Sequence, residues 1–340
     1  MAGRAGLVRC GVVGAGSLGF HHVRIARDLP NGECIGFYDL DHDRAHEVSQ
    51  RLSIPALDSL DALLEQADAV VVATPTTTHC EIAEIALERG IHVLIEKPIA
   101  ATLQEADRIL AAASRGQAMV QIGHVERFNT ALVGARPYLD EPLFIESHRL
   151  APFTERGTDI AVVLDLMIHD VDLVASLVGS PIEDIQAAGI PVLTPSVDIA
   201  NARIRFQGGA VANLTASRVS TDRMRKLRIF QRSGYLSLNL ADGTGEFLRL
   251  KQDLPGFGGD GFGPKMLAGS NGRAQAADLD TLVERITLSA EPAEPLRREL
   301  ESFLDSIVAG TTPMVTAQDG RDALATALEI EDRIMTHVTY

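Results

Sequence analysis

Apolar runs and amphipathic stretches alternate from Leu7 to about Ile122. The runs predict strands and the stretches predict crossover helices, an order typical of a parallel sheet. Ala69 to Ala73 is too uniformly apolar for a half-exposed strand, so it is predicted at the centre of the sheet. The predicted strands are Val8 to Val13, Glu33 to Asp39, Ala69 to Ala73, His92 to Ile95 and Met119 to Ile122. The predicted helices are Ser17 to Asp28, Asp41 to Leu52, Ser59 to Gln66, His79 to Arg89 and Leu103 to Ser114.

The pattern changes after Gly123, which indicates a domain boundary in the segment 123–129. Most of the chain beyond this boundary is predicted as strand, and the short glycine-rich separators are typical of hairpin turns. Strands are predicted at Leu143 to Arg149, Ile182 to Gly189, Asp198 to Phe206, Ala210 to Ser217, Lys226 to Gln231, Tyr235 to Leu240 and Glu246 to Leu250. Helices are predicted at Val162 to Leu177, Pro295 to Ala309 and Ala317 to Met335, and a loop or lid at Gly256 to Gly272.

These elements predict an α/β protein of two domains. The first, over residues 1–124, is a Rossmann dinucleotide-binding domain, and the second, over 125–340, is an α+β domain with a large, mostly antiparallel open sheet. A chain of 340 residues is long enough for two cores. An open sheet face commonly serves as a subunit interface, so we expect a homodimer or homotetramer through the C-terminal sheet.

Composition narrows the classes of partner and compartment. The formal net charge of −15 argues against wholesale binding to nucleic acid or to an anionic membrane, so any anionic ligand needs a local cluster of arginines. No apolar run approaches the roughly 20 residues of a membrane span, and the first eight residues lack the apolar core of a signal peptide. Three cysteines without C-x-x-C spacing predict neither structural disulfides nor a zinc site. We therefore expect a cytoplasmic protein without a metal.

The clearest motif comes directly after the first strand, where Gly14, Gly16 and Gly19 have the G-x-G-x-x-G spacing. Gly14 permits the tight turn, Gly16 lets the backbone approach a pyrophosphate, and Gly19 lets the next helix pack on the sheet. The phosphates would lie at the helix N-terminus, where free N–H groups and the dipole favour an anion. Asp39 ends the second strand, where a carboxylate accepts both ribose hydroxyls and repels a 2′-phosphate. Because Leu40 and Asp41 supply no arginine, the predicted cofactor is NAD rather than NADP.

Two further groups of residues could carry chemistry. Lys97, in the turn Ile95-Glu-Lys-Pro98, ends a predicted strand at the edge of the sheet where open α/β folds bind ligands. Its alternative role is that of an exposed turn lysine paired with Glu96. Asp165 and His169 lie four residues apart on a predicted helix, so they share one face, and His169 could act as acid or base with Asp165 orienting it. The alternatives are a structural Asp–His pair or a metal pair, for which no third ligand is visible.

These motifs together resemble the glucose–fructose oxidoreductase, inositol dehydrogenase and rhizopine-catabolism family of NAD(P)-dependent oxidoreductases. The resemblance covers nearly the whole chain, from GAGSLG through TPTTTH and EKPIA to the D-x-x-x-H of the second domain. It implies that Lys97, Asp165 and His169 occupy the family's catalytic positions. The residues that we expect at the cofactor are Gly14, Ala15, Gly16, Ser17, Leu18, Gly19, Asp39, Thr74, Pro75, Thr76, His79, Glu96 and Lys97.

Within the family, the stretch GHVERFN at residues 123–129 is similar to the branch that oxidises C3 of UDP-N-acetylglucosamine for amino-sugar synthesis, as in lipid A or cell-surface glycans. The chain departs from that branch at Thr130, where proline is usual. Arg127, Arg149 and Arg156 offer planar forks suited to phosphate, and Glu126 and Asn129 could hydrogen-bond the sugar. The 3-keto product would suit a partner aminotransferase.

Two other functions remain open from the sequence. One is oxidation of a free polyol such as inositol at C2, which would give the three arginines nothing anionic to bind. The other is an NAD-binding sensor without catalysis, since a fold does not fix a function. Lys97, Asp165 and His169 together favour an enzyme, because a sensor needs no proton relay.

Overall fold

The computed structural model describes residues 7–154, 160–251 and 282–337, and its first half is built on a parallel five-stranded sheet. The strand order is β2-β1-β3-β4-β5, so the chain winds outward from β1 in both directions. The strands are β1 Val8–Val13, β2 Gly32–Tyr38, β3 Ala69–Val72, β4 His92–Glu96 and β5 Val120–Gly123. All four residues of β3 are buried, which confirms its predicted central place.

Helices cover this sheet, and their starts carry recognisable caps. Asp41 accepts hydrogen bonds from the amides of Asp43 and Arg44 at the start of α2. Thr102 and Glu105 form a reciprocal capping box at the start of α5. The helices are α1 Ser17–Ala26, α2 His42–Leu52, α3 Leu60–Leu64, α4 His79–Glu88 and α5 Leu103–Gly116.

The second half contains an eight-stranded sheet in the order β13-β12-β11-β10-β6-β9-β8-β7. Every neighbouring pair is antiparallel except β6 with β9, as predicted for a mostly antiparallel sheet. The strands are β6 Phe144–Leu150, β7 Ile182–Ile190, β8 Ile199–Phe206, β9 Val211–Ser217, β10 Met224–Gln231, β11 Gly234–Asn239, β12 Thr244–Leu250 and β13 Val283–Leu288. Exposure alternates strictly along β8, so one face of the sheet is packed and the other is open. The edge strand β13 was not predicted.

Helix α7, Ile168–Val178, packs on the covered face of this sheet and is preceded by a π-helical turn at Val163–Met167. The short helix α6, Thr130–Ala135, begins at Asn129, whose side chain accepts from the amide of Ala131. The sequence predicted one regular helix over Val162 to Leu177 and no helix over Thr130–Ala135. π-Helical turns often occur at functional sites. The one at Val163–Met167 contains Asp165.

The last two helices, α8 Pro295–Ala309 and α9 Ala317–His337, return to the first half of the chain. Leu300 and Phe303 of α8 are fully buried in one core with strand β1 and helix α1. Leu324 of α9 joins the core around β3 and β4, while Ile330 joins the core of the large sheet. The division at residue 124 stays a prediction, since the C-terminal helices bury apolar surface on both sheets. None of the helices in the described ranges is both long and apolar enough to cross a membrane.

Candidate active site

A cleft of about 920 Å³ opens at the carboxyl ends of β1, β3 and β4. It brings together the glycine turn, the acidic end of β2, the turn after β3 and the lysine after β4. The predicted cofactor residues that line it are Gly14, Gly16, Ser17, Leu18, Asp39, Thr74, Pro75, Glu96 and Lys97. Ligands of open α/β sheets bind at this edge, so these residues form one continuous candidate site.

The glycine turn has the shape that a dinucleotide needs. Gly14 has a φ of +90°, and a Cβ on Gly19 would lie 1.9 Å from the Gly14 carbonyl oxygen, so helix α1 approaches the turn as only glycine permits. A Cβ on Gly16 would meet nothing within 4 Å, because this residue faces the open cleft. The residues present therefore fit a bound NAD, whose pyrophosphate the turn and the N-terminus of α1 would hold.

Asp39 lies beside this turn and is held by its backbone. One carboxylate oxygen accepts from the Ala15 amide at 2.6 Å and the other from the Asp41 amide at 2.9 Å. The structure also places Arg44 here, since its Nε donates to the Ala15 carbonyl oxygen at 2.8 Å and its Nη1 contacts Glu47 at 2.7 Å. The sequence prediction was based only on the two residues after Asp39, so it missed an arginine that reaches the turn from helix α2.

Other predicted cofactor residues act from behind the cleft. His79 is buried, and its two ring nitrogens lie 3.0 Å from the Pro98 carbonyl oxygen and 2.9 Å from the Thr74 carbonyl oxygen. It therefore ties the turn after β3 to the turn after β4. Ala15, Gly19 and Thr76 lie outside the lining. The lining residues that sequence reasoning missed are Val13, Tyr38, Leu40, Leu60, Ala73, Thr78, Glu81, Ile82 and Ile85, of which the last two are three apart on one face of α4.

Lys97 reaches from this cleft toward the second half of the chain. Its Nζ donates to the Asp165 carbonyl oxygen at 2.7 Å and lies 3.6 Å from the Asp165 carboxylate. Burial lowers the pKa of Lys97, while the Asp165 and Glu96 carboxylates oppose that change. The lysine is therefore a charged donor with a reduced pKa and not an exposed turn residue.

His169 lies four residues beyond Asp165, in the first turn of α7. Its Nδ1 is buried without a hydrogen-bond partner among the described residues, and its ring packs edge-on against His124 at 6.3 Å between centroids. Burial, together with the positive charges of Lys97 and Arg149, lowers the pKa of His169 well below its usual value. The imidazole is thus neutral at pH 7, which is the form that accepts a proton.

The predicted substrate residues form a dense set of buried ion pairs. Arg149 donates from Nε to Asp170 at 2.7 Å and from Nη1 to Glu126 at 2.9 Å, and all three side chains are buried. Burial alone would lower the pKa of Arg149, but the two carboxylates more than offset it and raise the pKa. Asn129 is buried as well, and its amide donates to Glu126 at 3.0 Å and to the Leu240 carbonyl oxygen at 2.8 Å.

Arg127 makes a two-pronged pair with Asp172, at 2.8 Å from Nε and 2.6 Å from Nη2. Its Nη2 also lies 3.7 Å from Asp319 of α9. Arg127 and Arg149 therefore make two and three hydrogen bonds, respectively, to protein carboxylates. Arg156 lies outside the described residues.

Arg225 is a cation whose place the sequence did not predict. It belongs to strand β10 and is the register partner of Arg149 on the covered side of the sheet. Its Nη1 donates to Glu126 at 3.2 Å, and a third of its side chain is exposed. Arg225 is also one of the positive groups that lower the pKa of His169. The alternation of apolar and charged residues along β10 was the sequence signal that could have placed Arg225 on the covered side of the sheet.

Comparison with known proteins agrees with this geometry. A model described as "Oxidoreductase family, NAD-binding Rossmann fold" matches residues 8–124, and one described as "GFO/IDH/MocA C-terminal domain" matches residues 119–237. The chain is 36% identical over 325 residues to a UDP-N-acetylglucosamine 3-dehydrogenase of Acidithiobacillus ferrooxidans, covering 95% of this chain and 96% of that one. A solved structure of that name from the same organism has a TM-score of 0.83 at 34% identity, covering 97% and 98% of the two chains.

A more distant relative is scyllo-inositol 2-dehydrogenase (NAD(+)) of Bacillus subtilis, at 28% identity over 63% of this chain and 68% of that one. The predicted resemblance, the Rossmann fold and the cofactor NAD are thereby confirmed. The two matched models together span most of the parallel sheet and much of the antiparallel one. The chain belongs to the GFO/IDH/MocA family of NAD-binding oxidoreductases.

Proposed function

We propose that the protein oxidises the C3 hydroxyl of UDP-N-acetylglucosamine to the 3-keto sugar with NAD. The observation that carries this proposal is that Lys97, which lines the dinucleotide cleft, bonds to Asp165 and lies near enough to His169 to lower its pKa. The choice of substrate rests on the relative of that name, with which the chain shares 36% identity over nearly its full length.

The chain's own groups support an acid–base role at the reacting carbon. When bound, NAD supplies the hydride acceptor. His169 takes the proton of the C3 hydroxyl at Nε2, because Nδ1 is enclosed by protein and the ring is neutral. Lys97 donates a hydrogen bond to the same oxygen as it becomes a carbonyl, and Asp165 holds the ammonium in place. The hydroxyl oxygen thus loses its proton while the carbon loses hydride, which balances the oxidation.

Binding of the diphosphate requires a cation that protein carboxylates do not fully occupy. Arg225 fits this need best, since Glu126 is its one carboxylate partner within the described ranges and a third of its side chain is exposed. Arg127 and Arg149 would then shape the site through their pairs with Asp172 and Asp170. The contacts of Glu126, Arg127, Asn129, Arg149 and Arg156 with substrate, predicted from the sequence, stay predictions.

The setting of the reaction is part of the same proposal. The open face of the large sheet carries an aromatic cluster of Phe144, Phe230 and Tyr235, whose ring centroids lie 5.8 and 4.7 Å apart along the row. Such a face suits self-association into a homodimer or homotetramer. The use of NAD and the three free cysteines fit a cytoplasmic enzyme. A 3-keto sugar nucleotide would be consumed by an aminotransferase that makes a 3-amino sugar, for lipid A or a surface glycan.

The test compares three substrates with NAD: UDP-N-acetylglucosamine, free N-acetylglucosamine and myo-inositol. We expect NADH formation with the sugar nucleotide at a kcat/KM at least about 100-fold above either uncharged compound, because binding energy from the diphosphate orients C3. Product analysis by NMR should find the keto group at C3. Faster oxidation of myo-inositol would favour the polyol dehydrogenase. Binding of NAD without turnover of any of the three would favour the sensor.

A further inference from the structure

Three buried side chains meet behind the turn that carries Lys97. They are His22 of α1, Glu96 at the end of β4 and Glu299 of α8, and their exposed fractions are 0%, 6% and 0%. One ligand atom from each lies within 4.8 Å of the others. A buried carboxyl group is costly unless it is paired or neutral, so two of them beside one imidazole need a physical explanation.

Glu96 connects this cluster to the lysine. One of its oxygens lies 2.7 Å from His22 Nε2, and the other accepts from the Lys97 backbone amide at 3.3 Å. The carboxylate occupies the space that a side chain at Gly123, its register partner on β5, would need, because a Cβ there would lie 2.9 Å from Glu96 Oε2. Glu96 is thus held on three sides and in turn fixes the backbone of Lys97.

Glu299 provides the remaining wall. Neither of its carboxyl oxygens has a hydrogen-bond partner among the described residues. Burial raises the pKa of Glu299 well above its usual value, and the negative charges of Glu96 and Asp172 raise it further. Two buried carboxyl groups within 4.8 Å of each other disfavour joint ionisation, and only the Glu96 oxygens have hydrogen-bond partners. Glu299 is therefore the neutral member of the pair.

A metal ion explains the cluster less well. Donor atoms bound to one zinc ion at about 2.0–2.1 Å lie more than roughly 3 Å apart, whereas His22 and Glu96 are 2.7 Å apart, which is a hydrogen-bond distance. A divalent ion would also place two positive charges beside the Lys97 ammonium. The geometry favours a hydrogen-bonded His22–Glu96 pair with the Glu299 carboxyl group beside it.

We propose that Glu299 is a positioning residue: its carboxyl group on α8 lies within 4.8 Å of His22 and Glu96 and confines the Glu96 carboxylate against His22 and the Lys97 amide. Helix α8 thereby sets where the lysine of the active site lies. This inference rests on the proposed function only in taking Lys97 as a catalytic residue. An ionised or apolar residue at 299 would repel or release Glu96, and Lys97 would move with it.

The test compares Glu299→Gln, which keeps an uncharged polar side chain of nearly the same shape, with Glu299→Leu, which removes the polar group. We expect Glu299→Gln to keep kcat within about threefold and Glu299→Leu to lower it about tenfold or more with the KM for NAD unchanged, since small misplacements of a catalytic group are costly. The matched control is Glu331→Leu, which removes another carboxyl group whose pKa burial raises, on α9. It should change stability and leave kcat intact.

A second readout needs no substrate, so it can fail separately from the proposed function. The chain has four lysines, and a 13C NMR titration of their side chains, with Lys97→Arg to assign the signal, reports the pKa of Lys97 directly. In Glu299→Leu this pKa should fall, because Glu96 no longer stabilises the ammonium. If Glu299→Leu does not fold, Gly123→Ala displaces the Glu96 carboxylate from the opposite side. It should lower the Lys97 pKa in the same way.

Three results would overturn the inference. Glu299→Gln could prove as damaging as Glu299→Leu, which would mean that the carboxyl group is ionised. Both Glu299→Leu and Gly123→Ala could leave kcat and the Lys97 titration unchanged. Elemental analysis of the purified protein could find one equivalent of a divalent metal that is lost in Glu299→Gln, which would make the cluster a metal site.

Discussion

The two walls of the candidate active site are built in different ways. The cofactor wall is made of backbone and small or apolar side chains, and its one acidic group beside the glycine turn, Asp39, is held by backbone amides. The wall from the second half of the chain is made of long side chains locked in buried ion pairs, with Arg149 bonded to both Asp170 and Glu126. The first wall depends on the shape of the chain, and the second depends on charges brought together from distant segments.

This difference separates stability from recognition on the second wall. Buried ion pairs cost desolvation energy, and removal of one partner leaves an uncompensated charge. Arg149 and Arg225 are register partners with opposite environments, since the first is buried and the second is a third exposed. Changing each in turn therefore tests whether the wall is chiefly a scaffold or a ligand site.

The largest effect is expected for Arg149→Leu. This change leaves Asp170 and Glu126 buried without their shared cation, and the free energy of unfolding should fall by about 3–5 kcal/mol. Urea denaturation followed by circular dichroism measures it. The matched control is Arg225→Leu, which should cost less than about 1 kcal/mol because its pair is partly exposed. Equal losses for the two variants would contradict the comparison.

The next effect concerns the junction of the two walls. Lys97→Met should lower kcat by roughly 100-fold or more, the usual scale for loss of an acid–base or polarising group. His169→Asn should do the same, and NAD affinity measured by calorimetry should stay nearly intact in both. If Lys97→Met kept near-normal turnover, the lysine would serve only to join the two halves of the site.

A smaller effect is expected on the cofactor wall from Asp39→Asn. The Asp39 carboxylate faces the cleft and should repel a 2′-phosphate, so NAD should bind at least about tenfold more tightly than NADP. The substitution keeps an acceptor for the Ala15 amide and removes the negative charge. With Arg44 nearby, it should bring the affinity for NADP closer to the affinity for NAD. Titration of both cofactors into both proteins measures it. A wild-type ratio near one would show that Asp39 does not control the choice.

The smallest effect is a displaced pH limb. The pKa of His169 is well below 6.5, and the neutral form that accepts a proton predominates above the folded-state pKa. The kcat/KM for oxidation should therefore stay level as pH falls through 6.5. It should decline only as pH approaches the lowered pKa of His169. Arg225→Leu removes one positive charge that lowers this pKa, so the acid limb should move to higher pH. A limb that does not move would place Arg225 too far from His169 to matter.

Sequence reasoning succeeded where the signal was local. The apolar runs of β1 and β3, the turn at Gly14 and the acidic end of β2 each depend on a few neighbouring residues, and the structure has them as predicted. The shared face of Asp165 and His169 stays a prediction. The π-helical turn beneath Asp165 was missed, since nothing in the apolar period distinguishes it from a regular helix.

The misses share a physical cause, which is pairing between distant segments. Glu126 bonds to Arg149 and Arg225, and Glu299 meets His22 from the far end of the chain. A set of charged residues does not say which of them neutralise each other, so arginines that the structure buries in ion pairs looked like free phosphate ligands. Strand β13 was missed for a related reason, because an edge strand carries a weak alternating pattern.

The return of helix α8 to the parallel sheet has a consequence for how the protein is made. Leu300 and Phe303 complete the apolar core that β1 begins, yet a ribosome delivers β1 first and α8 near the end of synthesis. In the nascent chain, the apolar surface that Leu300 and Phe303 later cover therefore stays exposed while the large sheet is translated. Exposed surface of this kind attracts chaperones and favours aggregation. The order of translation and the order of burial therefore differ in this chain. The core of the parallel sheet is complete only after the two C-terminal helices have been synthesised.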